Sequence, residues 1–223
     1  DFINKGGVLM SKKKIVLLIV ILLLAMVLLF MANTFRKFMI VKDLQNKIAM
    51  KAQDPNFYRK AVTTGENSEV VTEGYRKGDK KFVTIKRTMN GEELKVSLYD
   101  NGTTINVYTE TSGKKTVKPN GSSELIFDLA NRLETFNDWQ TFINCIKAEI
   151  STTTYDGKEC YIIKNFEEPN MNEETELYIE KETGLCLKST IMNQTSVIEY
   201  EFDNVTDEIF TEPDMSLYEL VTE

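Results

Sequence analysis

The longest apolar stretch of the chain runs from Ile15 to Ala32 and contains no charged residue, glycine or proline. Fourteen of its 18 residues are leucine, isoleucine, valine or phenylalanine. Folded as a helix, the stretch would be about 27 Å long, close to the ~30 Å hydrocarbon core of a bilayer. The pattern therefore predicts one transmembrane helix over residues 15–32.

The predicted helix resembles a retained anchor more than a cleaved signal. A cleavable signal has a shorter apolar region, of about 7 to 15 residues, and a small-x-small cleavage site. A cut after Ala32 would place the bulky Phe30 where a small side chain belongs, and no cysteine near the exit forms a lipobox. We predict a signal anchor, and the alternative is cleavage with a mature chain that begins near Asn33.

The charges on either side of the anchor predict its orientation. Lys12, Lys13 and Lys14 precede it on a short flank, which favours a cytoplasmic N-terminus. Arg36 and Lys37 just after it weaken this asymmetry without reversing it, because the first short flank usually dominates. We expect a single-pass protein of the cell membrane. Residues 1–14 would be its cytoplasmic tail, and residues 33–223 would form one extracytoplasmic domain.

An amphipathic helix is predicted directly after the anchor. Its apolar positions recur at spacings of three and four, and Asp54-Pro55 ends the pattern. These positions are Phe35, Phe38, Val41, Leu44, Ile48 and Ala52. Their stripe needs a covering surface, which we expect to be the sheet of the same domain, with a partner helix as the alternative.

From residue 67 the apolar period changes to two, which indicates strands. The turn signals KGDK, NGEE and DNGT divide the segment into a four-strand antiparallel meander, over residues 68–76, 80–89, 92–99 and 103–110. One face carries Val83, Ile85, Leu94, Val96, Leu98, Ile105 and Val107. The other carries Lys86, Lys95, Ser97, Thr104 and Asn106, together with Tyr99 and Tyr108.

A helical interruption separates this meander from a second one. Residues 112–121 form a loop with room for one short strand, and then two helices are predicted, capped by Ser122 or Ser123 and by Asn137 or Asp138. Their apolar faces are Leu125, Ile126, Leu129 and Leu133 in the first and Trp139, Phe142, Ile143 and Ile146 in the second.

About five more strands follow, with turns at Asp156-Gly157, Thr183-Gly184 and Asn193-Gln194, and then a tail that forms an edge strand or loop. The predicted fold class is α+β. We expect a strongly curved antiparallel sheet of about nine to eleven strands, a half-open barrel, which is covered by helices and preceded by one transmembrane helix.

Composition excludes several functions. Residues 1–51 carry a net charge of +7 and the remainder −14, and so acidic a domain repels nucleic acid. Histidine is absent, which removes the usual general base and the commonest zinc ligand. The acidic runs NFEEPNMNEETE and DNVTDEIFTEPD lack the ligand spacing of a calcium loop. We predict no enzyme, catalytic residue, metal or cofactor.

The three cysteines, Cys145, Cys160 and Cys186, show no CxxC spacing. One disulfide with a free thiol is conceivable in an oxidising compartment. The other interpretation, which we favour, is three partly buried apolar side chains, since each lies in an apolar run.

Two segments resemble a known superfamily. YIEKETGLCLKS is a strand, a TG turn and a strand, and EYEFDNVTDEIFTEPD leads from an aromatic strand into Asn-Val, Phe and Pro. Over about residues 38–218 the chain resembles the LolA-like lipoprotein carriers, which include LppX-type and RseB/MucB-type proteins and spore-germination lipoproteins of Gram-positive bacteria. The resemblance implies a curved sheet around helices, with an apolar cavity for acyl chains between them.

Seventeen apolar residues are candidates for the wall of such a cavity. They are Phe38, Leu44, Ile48, Val83, Ile85, Leu94, Val96, Leu98, Ile105, Val107, Leu129, Trp139, Phe142, Leu177, Ile179, Leu187 and Ile198. The alternative for the same residues is a filled core without a ligand. No functional residue is carried over from the superfamily, because no arginine matches the switch residues of its carriers.

Two functions remain. The first is a membrane-tethered, extracytoplasmic domain of the bacterial cell envelope that binds an acyl lipid or a lipoprotein. The second is a protein-interaction or sensor module of the same fold, with a filled core and an envelope protein on the outer face of the sheet. A retained anchor argues against long-range carriage in either case, because soluble carriers of this superfamily must leave one membrane to reach another.

Overall fold

The computed structural model describes residues 12–121, 136–166 and 175–221. It confirms the predicted fold class, with a twelve-stranded open sheet and a long N-terminal helix. The helices are α1 (Lys12–Lys51) and α2 (Asp138–Lys147). The strands are β1 (Asn56–Gly65), β2 (Ser68–Lys77), β3 (Lys80–Met89), β4 (Glu92–Asp100), β5 (Ile105–Thr111), β6 (Lys114–Pro119), β7 (Glu149–Tyr155), β8 (Lys158–Lys164), β9 (Thr175–Glu180), β10 (Cys186–Ile191), β11 (Gln194–Phe202) and β12 (Glu219–Leu220).

α1 is one continuous helix of 40 residues, about 60 Å long. Its apolar first part is exposed on all sides and is long and apolar enough to cross a membrane. Its last turns are amphipathic, as predicted: Val41, Leu44 and Ile48 are fully buried against the sheet. The same helix therefore contains the candidate span and part of the domain core.

The order of strands in the sheet is β12-β6-β5-β4-β3-β2-β1-β11-β10-β9-β8-β7. All neighbours are antiparallel except β12, which pairs in parallel with β6. β1 lies between the two meanders and pairs with β2 on one side and β11 on the other. This strand was not predicted, and it raises the number of strands above the expected nine to eleven. On its helix-facing side Arg59 lies between Phe57 and Ala61, so the simple alternation of apolar and polar residues is broken.

The strands begin and end along two opposite borders of the sheet, the near edge and the far edge, which are distinguished by their contacts with α1. At the near edge, towards the N-terminal end of α1, the Lys37 Nζ donates to the carbonyl oxygen of Ala148 at 2.6 Å. At the far edge, the Lys47 Nζ donates to the carbonyl oxygen of Lys181 at 2.7 Å. Because neighbouring strands alternate in direction, the near edge carries the turns after β1, β3, β5 and β10.

The main core lies between α1, α2 and the second meander. Its buried members are Val41, Leu44, Ala61, Phe136, Cys145, Ala148, Ile163, Phe166, Leu177, Ile179, Cys186 and Ile198. All three cysteines are buried free thiols, in agreement with the interpretation as apolar side chains. Burial raises the pKa of Cys145 to about 11, although the charge of Lys37 opposes this shift.

α2 begins where the sequence predicts. Asn137 is its N-cap and accepts a hydrogen bond from the backbone N–H of Gln140, whose side chain bonds back to the Asn137 N–H. This reciprocal pair satisfies two backbone donors that the first turn would otherwise leave free. The helix is tied to α1 by an ion pair between Lys42 and Asp138 at 2.7 Å. The other predicted helix, with Leu125, Ile126, Leu129 and Leu133, lies outside the described residues.

Gly184 gives a direct test of how tightly α1 is packed on the domain. Its φ is +76°, and a Cβ there would lie 2.6 Å from the carbonyl oxygen of Leu44 in α1. Gly157 has nearly the same φ, +75°, but a Cβ there would meet nothing within 4 Å. We expect Gly157→Ala to lower the free energy of unfolding by about 1 kcal/mol through backbone strain alone. Gly184→Ala should cost at least about 2 kcal/mol more, because the helix backbone must move.

The measurement is chemical denaturation of the full chain in detergent micelles, followed by near-ultraviolet circular dichroism. Equal destabilisation by the two substitutions would show that α1 is not held against the turn at Gly184.

Candidate apolar binding surface

The helix-facing side of the first meander carries an apolar strip. Strand register places Val83 beside Leu98 and Leu98 beside Val107, and it places Ile85 beside Val96. Directly paired residues share a face of the sheet, so these side chains form one surface across β3, β4 and β5. The apolar strip consists of Val83, Ile85, Leu94, Val96, Leu98, Ile105 and Val107, the seven residues that the alternation assigns to this face.

The apolar strip differs from the rest of the helix-facing side in what packs on it. Val83 and Leu98 are buried and the other five members are half-buried. Among the described residues, none of the seven belongs to the two clusters that pack around α1. Within the described residues, this side of the sheet thus carries a filled core under α1 and, beside it, an apolar region that belongs to neither cluster.

The structure separates the seventeen candidate residues accordingly. Five of them, Leu44, Ile48, Leu177, Ile179 and Ile198, belong to the clusters around α1. Leu187 is buried in β10. Phe38 and Phe142 are half-buried and contact each other with ring centroids 6.0 Å apart. Trp139 is 71% exposed on the outer side of α2, and Leu129 lies outside the described residues. The remaining seven are the apolar strip.

A cavity of about 390 Å³ lies at the near-edge end of the apolar strip. Leu94 connects it to the strip, and its other walls are Arg87, Met89 and Thr111, with Glu92, Glu93 and Ser112 at the turns. In the register, Arg87 pairs with Leu94 and Leu94 with Thr111, so all three lie on the helix-facing side. Sequence reasoning missed Arg87, although its odd position in β3 assigns it to the same face as Val83 and Ile85.

The outer face of the first meander is covered by the C-terminal segment of the chain. Asn106 Nδ2 and the Tyr108 hydroxyl both donate to Glu212 Oε2, each at 2.8 Å. Burial raises the pKa of Tyr108, and the hydrogen bond to Glu212 raises it further. The segment ends as β12, so the predicted edge strand is present. Ser97 and Asn106, which the alternation places on the polar face, are buried.

An aromatic row crosses the same outer face. Ring centroids are 4.7 Å apart for Tyr58 and Tyr75, and 4.5 Å apart for Phe82 and Tyr99. Tyr218 of the C-terminal segment completes the row on Tyr108, at 5.0 Å. The hypothesis of a partner on the outer face is therefore restricted to the part that this segment leaves open.

Within residues 12–121, 136–166 and 175–221, no group of three or more Cys, Asp or Glu side chains is arranged to hold a metal ion. Three of the groups with perturbed pKa values on the outer face, Tyr108, Glu110 and Tyr218, fasten the C-terminal segment. The pKa values of Tyr58 and Tyr75 are raised mainly by burial. The geometry of the apolar strip suits the binding of an apolar ligand and provides no nucleophile with an adjacent base.

Comparison with solved structures returns similar chains at low sequence identity. The MucA/MucB complex of Pseudomonas aeruginosa has 15% identity and a TM-score of 0.40, covering 77% of this chain and 61% of that one. An uncharacterised conserved protein from Thermus thermophilus has 10% identity and a TM-score of 0.45, covering 81% and 97%. A LolA superfamily protein from Nitrosomonas europaea has 10% identity and a TM-score of 0.27, covering 77% and 97%.

The structural neighbours thus include the superfamily that the sequence resembles. No family model and no curated protein matches the sequence. This chain spans about three fifths of the length of MucB. At these TM-scores the similarity carries no functional argument.

The attachment of the C-terminal segment should depend on pH through Glu110. Burial raises its pKa, but the hydrogen bond from Tyr218 at 3.0 Å and the charges of Lys95 and Lys115 hold the pKa below its ordinary value of 4.5. Because its pKa is depressed in the folded state, the Glu110 carboxylate stabilises the fold fully at pH values above its ordinary pKa. This stabilisation is lost as the pH falls through the lowered pKa. We expect Tyr218→Phe to lower the free energy of unfolding at neutral pH by about 1 kcal/mol.

The difference in free energy of unfolding between the Tyr218→Phe variant and the unmodified chain should become smaller in acid. Denaturation at a series of pH values measures it. In a Glu110→Gln background the same substitution should have a smaller effect that does not change with pH in acid, because the amide oxygen still accepts the hydrogen bond but carries no charge. A difference that is constant across the pH range would show that Tyr218 acts through packing alone.

Proposed function

We propose that this chain is a membrane-tethered, extracytoplasmic domain of the bacterial cell envelope that binds an acyl lipid or the acyl chain of a lipoprotein. The observation that carries the proposal is the apolar strip, which lies beside a filled core without being part of it and opens at one end into a cavity. Specific ligand sites combine such an apolar wall with a few polar groups.

The dimensions of the apolar strip fit a chain-like ligand. From Leu98 to Leu94 the strip follows β4 for about 13 Å, at ~3.3 Å per residue, and Val96 and Leu94 are its partly exposed members there. Three neighbouring strands give it a width of about 10 Å, from ~4.8 Å between strands. An acyl chain that lies along the strip would bury both surfaces without needing a hydrogen-bond partner.

The cavity at the end of the strip supplies a polar rim. Arg87 contributes a guanidinium, while Glu92 and Glu93 contribute carboxylates on the same cavity. A rim with both signs of charge suits a headgroup that carries both signs, such as a phosphoethanolamine, better than a bare phosphate. Because the cavity lies at the near edge, it also faces the end of the domain from which the candidate span leaves.

The tether supports a local role. The apolar part of α1 has the length and composition of a membrane span and continues without a break into the buried helix. A domain held in this way reaches ligands of its own membrane surface. The lysines before the span favour an extracytoplasmic domain, which places this surface on the outer leaflet.

A second candidate, a protein-interaction or sensor module, is favoured by the outer face. Tyr58 and Tyr75 form one end of the aromatic row, and both are half-buried. Among the described residues, no hydrogen bond joins this end of the row to the C-terminal segment. Half-exposed tyrosines are common at protein interfaces. For this chain, a protein partner in the cell envelope is the second proposal.

The first proposal predicts where a lipid probe reacts. Full-length protein is placed in nanodiscs that contain a phosphatidylethanolamine with a photoreactive diazirine on its acyl chain, and the cross-linked peptides are mapped by mass spectrometry. We expect cross-links in two places, the span of α1 and the strands β3 to β5. Val96→Lys should reduce the cross-links on the strands severalfold, because a buried charge opposes an acyl chain.

The cross-links on the span provide an internal control and should not change. Val197→Lys is the matched variant, since Val197 lies on the outer face of β11 and is 39% exposed. Arg87→Gln tests the polar rim without adding a charge to the strip, and thermal denaturation confirms that each variant is folded. Cross-links confined to α1 in the unmodified protein would contradict the proposal.

A further inference from the structure

A cluster of four aromatic rings lies immediately after the candidate span. Phe35 and Phe38 of α1 have ring centroids 6.2 Å apart, and Phe38 contacts Phe142 of α2 at 6.0 Å. Trp139 stacks on Phe142 at 6.4 Å. These four residues, called the aromatic cluster, connect the two helices, and Phe38 also packs against the main core.

The aromatic cluster is unusually exposed. Trp139, the single tryptophan of the chain, is 71% exposed, and Phe35 is 57% exposed. Met39 and Ile146 beside them are exposed as well. Large apolar side chains that are grouped on a surface mark a contact with a protein or a membrane.

The position of α2 along α1 indicates that the aromatic cluster contacts a membrane. Residues 15–34 of the continuous helix make up about 30 Å, the thickness of the hydrocarbon core, so Phe35 begins at its outer boundary. The Lys37–Ala148 hydrogen bond and the Lys42–Asp138 ion pair place α2 beside residues 37–42. Measured along α1, the C-terminal end of α2, beside Lys37, lies about 3 Å from the hydrocarbon boundary. Its N-terminal end, which carries Trp139 and lies beside Lys42, is about 10 Å from that boundary.

The headgroup region extends about 5 to 7 Å beyond that boundary on each side. Transmembrane helices tilt by about 20° on average. A tilt of α1 towards α2 would lower a helix packed 8–10 Å away by about a further 3 Å. Tryptophan is enriched at this depth, where its ring is partly in lipid and its N–H is in water.

The charges around the aromatic cluster agree with this position. Arg36 and Lys147 are exposed at the same level of the two helices, where they can meet lipid phosphates. Asp138 is paired with Lys42, and Glu149 is the exposed carboxylate that follows α2. The capping box at Asn137 fixes the first turn of α2, so Trp139 is presented on a fixed scaffold.

From this geometry we infer that the aromatic cluster is an interfacial membrane contact, which docks α2 into the headgroup region of the bilayer that α1 spans. The inference rests on the tether of the proposed function and deepens it. With α1 as one attachment and Trp139 as a second, the domain cannot rotate freely about the helix axis. The near edge, with the cavity at Arg87, is then held towards the outer leaflet.

Trp139 is also the probe that tests the inference. Full-length protein is reconstituted into phosphatidylcholine vesicles with a minority of phosphatidylglycerol, and tryptophan fluorescence is measured with two quenchers. One is iodide in the water, and the other is phosphatidylcholine brominated on the acyl chain near the headgroup. We expect strong quenching by the brominated lipid and a severalfold smaller iodide quenching constant than in the control variant.

The control is the double variant Trp139→Phe/Tyr155→Trp, which moves the single tryptophan to the β7–β8 turn at the far edge. It should be quenched by iodide and not by brominated lipid. Trp139 that is open to iodide and insensitive to brominated lipid would overturn the inference. Trp139 shielded from both quenchers would overturn it too, in favour of a protein occupant.

Two further readouts distinguish this inference from the proposed function. Flotation after a carbonate wash shows whether α1 remains in the bilayer, and loss of the protein from the vesicles would overturn the inference together with the tether. Loss of cross-linking on β3 to β5, with quenching of Trp139 by brominated lipid retained, would contradict the lipid-binding proposal and leave the interfacial contact standing.

Discussion

The structure depends on the packing of the last turns of α1 against the sheet. Val41, Leu44 and Ile48 are fully buried there, and the backbone of α1 comes so close to the turn at Gly184 that only a glycine fits. Because the same helix has no break between this core and the candidate span, the axis of the span is fixed relative to the sheet. A flexible linker would leave the orientation of the domain open, whereas this helix fixes which edge faces its N-terminal end. The positions of the near-edge cavity and of α2 relative to the span follow from this constraint.

Much of this architecture could be predicted because it depends on local periodicity. The span and the amphipathic end of α1 follow from apolar spacing, and four strands follow from alternation between clear turn signals. β1 could not be found in this way, since Arg59 interrupts its helix-facing side and its pairing with β11 joins residues more than a hundred positions apart. Alternation also identified the faces of β3 to β5 correctly. It could not show that α1 covers Ile179 and leaves Val96 outside its cluster, because the covering of a face is a tertiary property.

The C-terminal segment shows how the chain uses its outer face. Tyr108 and Asn106 lie on a strand face that would be half-exposed in an isolated meander, and Glu212 satisfies both of their donors. The sequence contains no local signal for this contact, as the partners are about a hundred residues apart. Since buried polar groups without a partner are costly, the segment is needed by the residues beneath it. It follows that the outer face around Asn106 and Tyr108 is part of the internal structure, and that ligand binding is better sought on the opposite face or beyond Tyr75.

A tether and a ligand cavity at the near edge are physically consistent with each other. An acyl chain that leaves a bilayer exposes apolar surface to water, at a cost of about 0.8 kcal/mol per methylene group. A binding surface far from the membrane would have to meet this cost over the whole path, whereas a cavity held beside the headgroups shortens the path. Attachment at two points, α1 and Trp139, would keep Arg87 and Leu94 at that boundary. On the proposed function, the same attachment would prevent the domain from carrying a ligand to another membrane. Binding would then be limited to lipids or lipidated proteins of the membrane surface to which the domain is attached.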